Sequence, residues 1–365
     1  MKVPFFDLGR QTERIRGEIN EAVMEVIDTQ RFILGPAVDS LEEKVARLIS
    51  VSNAIGVASG SDALMLAMMA ARIGPHSEVI VPAFSFFSSA SSAARLGARV
   101  VFADIDLKTF QIDPEEIQNR LTSKTSAVIP VHLFGDCPDM LQIQQLATEH
   151  GFLIIEDVAQ GFGALHHERP AGSMGFCGCF SFYPTKNLSA IGDAGMIVTN
   201  DQSTADKLRL LRSHGLENKY EHNELGINSR LDSIQAAALS VRLSYFEGWN
   251  KQRRHIAKLY NEGLSDLVTT PSPPKHNSPV YNQYVIRSPQ RDKLRQFLAE
   301  KDIGTELYYP IPLHMQKGLA KMQRCEGRYP RSEEAAKTCL ALPIFPELEE
   351  DEINYVIQRI QEFFS

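Results

Sequence analysis

Three short stretches carry side chains that could do chemistry together. "FYPTKNLSAIGDAG", residues 182–195, sets Lys186 between a proline-bearing aromatic run and a glycine-flanked loop, and "FLIIEDVAQ" closes an apolar run on Glu156 and Asp157. "ASGSDALMLAMMAA" begins at Ala58 and passes from a Gly-Ser turn into a strongly helical run. A lysine amine attacks carbonyls only when unprotonated, and burial or nearby positive charge lowers its pKa from about 10.4 toward neutrality. Alternation along a strand points Glu156 and Asp157 in opposite directions, so only one can share a site with the amine. There it could hold a heterocyclic nitrogen protonated. The first free N–H groups of the helix after Gly60, with the Ser61 hydroxyl, could hold a phosphate against the positive end of the helix dipole. Amine, acid and phosphate anchor together match a Schiff-base cofactor such as pyridoxal phosphate. Each part alone has a plainer reading: surface charge, solvated acidic turn, ordinary N-cap. A Walker-type nucleotide site is not indicated, because GxxxxGK[ST] is absent.

The elements that must position these groups are legible as seven apolar runs between residues 54 and 200: "AIGVAS", "EVIVPAF", "ARVVFADID", "SAVIPVHLFG", "FLIIEDVAQ", "GCFSFYPT" and "GMIVTND". Most are continuously apolar, as strands buried on both faces of a largely parallel sheet are, which implies helices on both sides. Ligands of such sheets collect beyond the carboxyl ends of the strands. Ser59 to Asp62, Asp157 to Gln160 and Ser181 to Lys186 hold those places. Downstream, Leu231, Ile234, Ala238, Val241 and Tyr245 recur at helical spacing and predict one buried face of a long helix. The Pro-rich "VTTPSPPKHNSP", residues 268–279, reads as a connector. A strand-like "YNQYVIRS" and helices near 291–301 and 350–363 then suggest a compact α+β cap. A chain of 365 residues exceeds one usual core. The expected division is a large domain over 1–245, with an N-terminal helical segment, and a small C-terminal α+β domain over 246–365.

A net charge of −7 argues against non-specific nucleic-acid binding. No apolar run approaches the roughly 18 to 20 residues of a membrane span, and "MKVPFFDLGRQ" lacks a secretory apolar core, so a cytoplasmic protein with no membrane partner is expected. Cys137, Cys177, Cys179, Cys325 and Cys339 form no pair of CxxC motifs and read as reduced packing groups, and no metal site is expected in the chain.

An ordered set of segments carries a family resemblance: "GPAVDSLEEKVARL", "ASGSDAL", "VIVPAFSFFSSASSAARLGARVVFADID", "IPVHLFG", "IIEDVAQGFGA", "FSFYPTKNLSAIGDAG", "LGINSRLDSIQAA", "RRHIAKLY" and "PIPLHMQ". Together they resemble the DegT/StrS family of pyridoxal-phosphate-dependent sugar aminotransferases over almost the whole chain. The resemblance implies an α/β, aspartate-aminotransferase-like architecture, that of fold type I of the PLP-dependent transferases. It also implies a homodimer with shared active sites. By it, Lys186 would form the Schiff base, Asp157 would pair with the pyridine nitrogen, Gln160 would lie by the 3-hydroxyl and Phe86 would stack on the ring. Gly60, Ser61 and Ser181 would hold the phosphate, with Asn228 reaching it from the partner subunit. His214, Arg230, Tyr308, Tyr309 and His314 would line or border the substrate space. Plainer readings stand beside these: a core aromatic for Phe86, an N-cap for Asn228, a loop-backbone partner for Gln160, a buried strand hydroxyl for Ser181, a salt bridge for Arg230, and structural packing for the histidines and tyrosines.

The activity implied is transfer of an amino group from L-glutamate to a nucleotide-linked keto sugar. "NSRLD" and "FYPTKNL" look more like members acting at carbon 3 than at carbon 4. A cofactor-binding regulatory protein without turnover is the alternative of a different class. A dehydrating branch that carries histidine in place of the lysine is disfavoured by Lys186. One departure stands out: the family commonly has Gly-Asp-Gly-Gly where this chain has Gly192, Asp193, Ala194 and Gly195. A methyl at Ala194 implies either an unstrained backbone, which is the expectation here, or an altered pocket wall.

Overall fold

The computed structural model describes residues 1–218, 220–322 and 327–365. Two N-terminal helices, α1 (Leu8–Thr29) and α2 (Pro36–Ile49), precede a seven-stranded sheet. Its strands are β1 (Asn53–Val57), β2 (Glu78–Pro82), β3 (Arg99–Ala103), β4 (Thr125–Val128), β5 (Leu153–Asp157), β6 (Cys177–Ser181) and β7 (Gly195–Thr199). Each overlaps one of the seven expected runs, three of them starting one residue earlier, and they lie in the order β1-β7-β6-β5-β4-β2-β3. The pairs β2–β3, β2–β4, β4–β5 and β5–β6 are parallel, while β7 runs antiparallel to both β6 and β1. Helices α3 (Gly60–Ala70), α4 (Ser88–Arg95), α5 (Pro114–Arg120), α6 (Met140–His150) and α7 (Gln202–Leu211) connect and flank the strands.

The continuous apolar character of β2 has a direct cause. Val79 and Val81 pack with Ala63, Leu64 and Phe102 on one face, while Ile80 packs with Val128, Ile143 and Ile154 on the other. Two cores therefore draw on alternate residues of one strand.

Helix α8 (Ser233–Leu264) runs without interruption through residue 245. Its second half packs with β8 (Tyr284–Arg287), α9 (Arg291–Glu300), β9 (Cys339–Leu342) and α12 (Glu350–Phe364), whereas α10 (Lys317–Ala320) and α11 (Pro330–Thr338) bury Leu319, Ala335 and Ala336 in the core of the large sheet. Strands β8 and β9 pair antiparallel. Ile256, Tyr260 and Leu264 of α8 form a core with Leu294, Leu298, Ile353, Val356 and Ile360, and the N-terminal Val3 belongs to it.

The buried face of α8 only partly coincides with the expected one: Ala238 is buried and Val241 packs beside it against Ile15 and Ile19. Tyr245 is 38% exposed and Leu231 precedes the helix, whereas Leu239, Arg242, Phe246, Trp249, Arg253, Ile256, Tyr260 and Leu264 are buried. Apolar periodicity missed this face because two arginines lie in it. Arg242 donates to Gln11 Oε1 at 2.8 Å and Ser189 Oγ at 2.9 Å, and Arg253 donates to the carbonyls of Tyr281 and Ile344, both at 3.1 Å. Such bonds make burying a guanidinium tolerable, although burial still pushes Arg253 down to about 10.

Cys137, Cys177, Cys179 and Cys339 are buried free thiols, as packing groups would be, while Cys325 lies outside the described residues. Among the described residues no helix is long and apolar enough to cross a membrane.

Candidate active site

Strands β5 and β6 are parallel neighbours, so their carboxyl ends open on the same side of the sheet. A cavity of about 500 Å³ lies there, lined among others by Asp157, Gln160, Ser181 and Lys186. After β6 the chain folds back on itself, with Lys186 N–H donating to the Tyr183 carbonyl at 2.8 Å and Ala190 N–H to that of Phe182 at 2.7 Å. This turn delivers Lys186 into a protein-enclosed hollow, where its side chain keeps some accessible surface. Burial lowers the amine to about pKa 8, and the negative charge of Asp157 opposes the fall. Asp157 is buried too, and desolvation raises its pKa against four opposing influences: the Ser89 hydroxyl donating at 2.7 Å, the Ala159 N–H at 3.1 Å, Lys186 and His132. Glu156 points the other way, as alternation requires. Its carboxylate accepts the N–H groups of Gly172, Met174 and Gly175 at 2.8, 2.6 and 2.6 Å and lies 2.9 Å from His132 Nε2. It is a structural acid.

The opposite wall is the N-terminus of α3. Ser59, not Ser61, caps this helix by accepting the Asp62 N–H at 3.1 Å. The Ser61 hydroxyl is therefore free to meet that of Ser88 at 2.6 Å, and both residues line the cavity with Gly60. A Cβ on Gly60 would lie 2.6 Å from the Cβ of Ser181, so glycine permits the close approach of α3 to β6. Phe86 is 56% exposed at this cavity, which rules out a core role, and its ring centroid lies 6.2 Å from that of Tyr309. Gln160 bridges two elements: Oε1 accepts the Phe134 N–H at 2.7 Å, and Nε2 donates to the Tyr309 hydroxyl at 2.9 Å. Tyr308 and Tyr309 both line the cavity.

Residues 13–361 match the family model of the DegT/DnrJ/EryC1/StrS aminotransferases. The chain belongs to this aminotransferase family. It is 46% identical over 368 aligned positions to the "Pleiotropic regulatory protein" of Geobacillus stearothermophilus, covering 100% of this chain and 99% of that protein. It is 42% identical to the UDP-N-acetyl-3-dehydro-alpha-D-glucosamine 3-aminotransferase of Acidithiobacillus ferrooxidans, covering 98% and 97%. The crystal structure of S. venezuelae DesV in complex with a ketimine intermediate superimposes with a TM-score of 0.97 at 38% identity, covering 100% of this chain and 99% of that one. The fold-type I architecture expected from the resemblance is thus the observed one.

Enzymes of the DegT/DnrJ/EryC1/StrS family depend on pyridoxal phosphate, and the cavity fits that cofactor. The helix N-terminus and three hydroxyls suit a dianionic phosphate, and the buried Asp157 and the depressed amine of Lys186 suit a protonated ring nitrogen and a carbonyl carbon. Not every expected residue of this aminotransferase lines the cavity. His314 is not among its lining residues: the ring is buried, 3.4 Å from Glu333 and packed on Phe102 and Tyr329. Asn228 is exposed and does not cap α8, since Asp232 accepts the Gln235 N–H there at 2.9 Å. Arg230 stands outside the cavity with its Nε lacking a hydrogen-bond partner among the described residues, and His214 is exposed beside the same segment.

Sequence reasoning passed over Ser85, Ser88, Ser89, Asp193 and Gln283. The serine-rich "FSFFSSASS" directly after β2 was an available signal, because hydroxyls at a strand's carboxyl end are where ligands collect. Gln283 carried none, since it lies in the strand-like "YNQYVIRS" of the C-terminal region. At Ala194 the backbone stays out of the positive-φ region, and the methyl packs among Phe182, Leu188 and Met196 rather than on the cavity wall. The unstrained alternative holds.

Proposed function

We propose that this enzyme transfers an amino group from L-glutamate to carbon 3 of a nucleotide-linked keto sugar, using pyridoxal phosphate. The observation that carries the reading is the Lys186 amine and the Asp157 carboxylate in one cavity with the hydroxyl-lined N-terminus of α3. Bound there, pyridoxal phosphate supplies a carbonyl carbon that accepts amino groups and a ring that withdraws electrons. Lys186, with an amine near pKa 8, would be the group placed to take up and return the proton of the amino acid's α-carbon. Asp157 would hold the proton on the ring nitrogen. Ser61, Ser88 and Ser181 would bind phosphate oxygens, Phe86 would cover the ring, and Gln160, fixed by Phe134 and Tyr309, would meet the 3-hydroxyl. Tyr308 and Tyr309 border the space left for the sugar.

Carbon 3 is favoured by "NSRLD" and "FYPTKNL" and by the name of the Acidithiobacillus relative. Incubation with glutamate and a panel of 3-keto and 4-keto nucleotide sugars, read by mass spectrometry, tests the reading. A 3-amino product with stoichiometric 2-oxoglutarate is expected, and exclusive amination of 4-keto sugars would overturn the position. The Geobacillus relative's name favours a second reading, a regulatory protein that binds cofactor without turnover. On that reading glutamate leaves the cofactor's visible absorbance unchanged.

We also propose a homodimer. Phe32, Ile33 and Leu34, between α1 and α2, are 41%, 53% and 37% exposed, and Leu225, near Asn228, is 92% exposed. Contiguous apolar side chains of this kind mark a partner surface. Asn228 and Arg230 would then serve the cavity of the other subunit. Sedimentation velocity should give about twice the 40.8 kDa chain mass, and a monomer at micromolar concentration would contradict the proposal.

A further inference from the structure

A two-stranded hairpin, Leu165–His166 and Arg169–Pro170, projects after β5, and the Pro-rich connector adds Asn277–Ser278 to its edge. This pairing brings the adjacent His166 and His167 together with His276, which is distant in the chain. Ligand nitrogens of His166, His167 and His276 all lie within 4.8 Å of one another. The rings of His167 and His276 are stacked, with centroids 4.1 Å apart and planes 8° from parallel, and His166 stands edge-on to both.

The tautomer of His166 is fixed by its neighbours. Asn277 Nδ2 donates to the Cys137 carbonyl and to Asp136 Oδ1, both at 2.8 Å. A flipped amide would set oxygen against the Cys137 carbonyl, so Asn277 Oδ1 is the atom facing His166. It lies 2.7 Å from His166 Nδ1 and accepts its N–H. The lone pair of His166 is thereby left on Nε2. His166 is 1% exposed, and Nε2 is buried with no hydrogen-bond partner among the described residues. A buried lone pair without a donor is costly, and a cation is one way to satisfy it. Metal-bound histidines are held in this manner, with the second ring nitrogen donating to a carbonyl oxygen.

We propose that His166, His167 and His276 form a binding site for a divalent transition metal of the zinc type. Neutral imidazoles select zinc and its nitrogen-preferring neighbours over calcium or magnesium. Zinc–nitrogen bonds of about 2.0 to 2.1 Å require nitrogens roughly 3.4 Å apart in a tetrahedral site. His166 is the fixed point, and the exposed rings of His167 and His276 close the remaining distance by side-chain rotation. Water takes the fourth position. The metal would clip the connector to the hairpin, away from the Lys186 cavity. The cysteines alone predict no metal, and the sequence gives no reason to bring "HHERP" and "KHNSP" together.

Titration of the holoenzyme with Zn²⁺ by calorimetry should show one site per chain with a micromolar or tighter Kd. His167→Ala and His276→Ala each should weaken it by at least about 10-fold, the lower end of what even an outer-shell loss costs. Both positions are exposed, so retention of the cofactor's visible absorbance verifies that the variants fold. His255→Ala, an exposed histidine on α8, should change nothing. Zn²⁺ should also raise the Tm of the wild type and not of the double variant H167A/H276A. Zn²⁺ stoichiometry and affinity unchanged in that double variant, or no wild-type binding tighter than about 100 µM, would overturn the proposal.

Discussion

Lys186→Ala should lower glutamate-dependent formation of 2-oxoglutarate by about 10⁴-fold or more, the upper end for a positioned proton-transfer group. The same variant should still fold. Enclosure makes the protonated amine a liability: burial drives its pKa from 10.5 to about 8, and the attraction of Asp157 opposes the fall. The sign of the stability effect follows. Between about pH 8 and 10.5 the unfolded chain binds a proton that the folded chain has released, so stability of the cofactor-free wild type rises with pH in that window. Below pH 8 both states are protonated and the full penalty stands. Lys186→Met, similar in size and uncharged, should therefore be more stable than the cofactor-free wild type at pH 7, with the difference shrinking as pH rises toward 10.5. Denaturant unfolding at pH 7 and pH 10 measures this. Turnover of Lys186→Ala within tenfold of wild type would remove Lys186 from the chemistry.

The parts of the fold that were legible in the sequence are those where one residue type answers to one environment. Val79, Ile80 and Val81 are apolar in unbroken succession because two cores compete for β2, so the run itself declares a strand covered on both faces. Lys186 and Asp157 were legible because strand ends of a parallel sheet share one side. Residues whose role depends on a distant partner were not. Arg242 and Arg253 look like a solvated helix face until Gln11, Ser189 and the Tyr281 and Ile344 carbonyls are placed against them. Ser89 acquires its role from the Asp157 carboxylate, 68 positions away. His314 appeared to belong to the substrate space because the segment around it matches, but packing on Phe102 and Tyr329 turns the ring to a structural use. Short-range pattern reports burial and strand ends; it does not report which buried polar groups meet.

Asp157→Asn should cost turnover about 10² to 10⁴-fold while leaving the fold intact. The carboxylate is buried, and desolvation is the largest influence on it, so a neutral isostere removes a cost in the folded state. The bonds it makes are partly transferable. An amide oxygen can still accept the Ala159 N–H, and the Ser89 hydroxyl, 3.0 Å from that of Ser85, has a second acceptor to turn to. What the amide cannot supply is a negative charge to keep the pyridine nitrogen protonated. Asp157 also raises the amine of Lys186, so its loss should move the pH at which the cofactor-free chain captures pyridoxal phosphate half-maximally below the wild-type midpoint. These two readouts separate chemistry from packing. A merely structural Asp157 would show a lowered Tm with turnover falling in proportion to unfolded protein and no change in the capture midpoint. Retained visible absorbance, a Tm close to wild type and a shifted midpoint, together with lost turnover, are the expected set. Turnover within tenfold of wild type would mean that the ring nitrogen does not depend on this carboxylate.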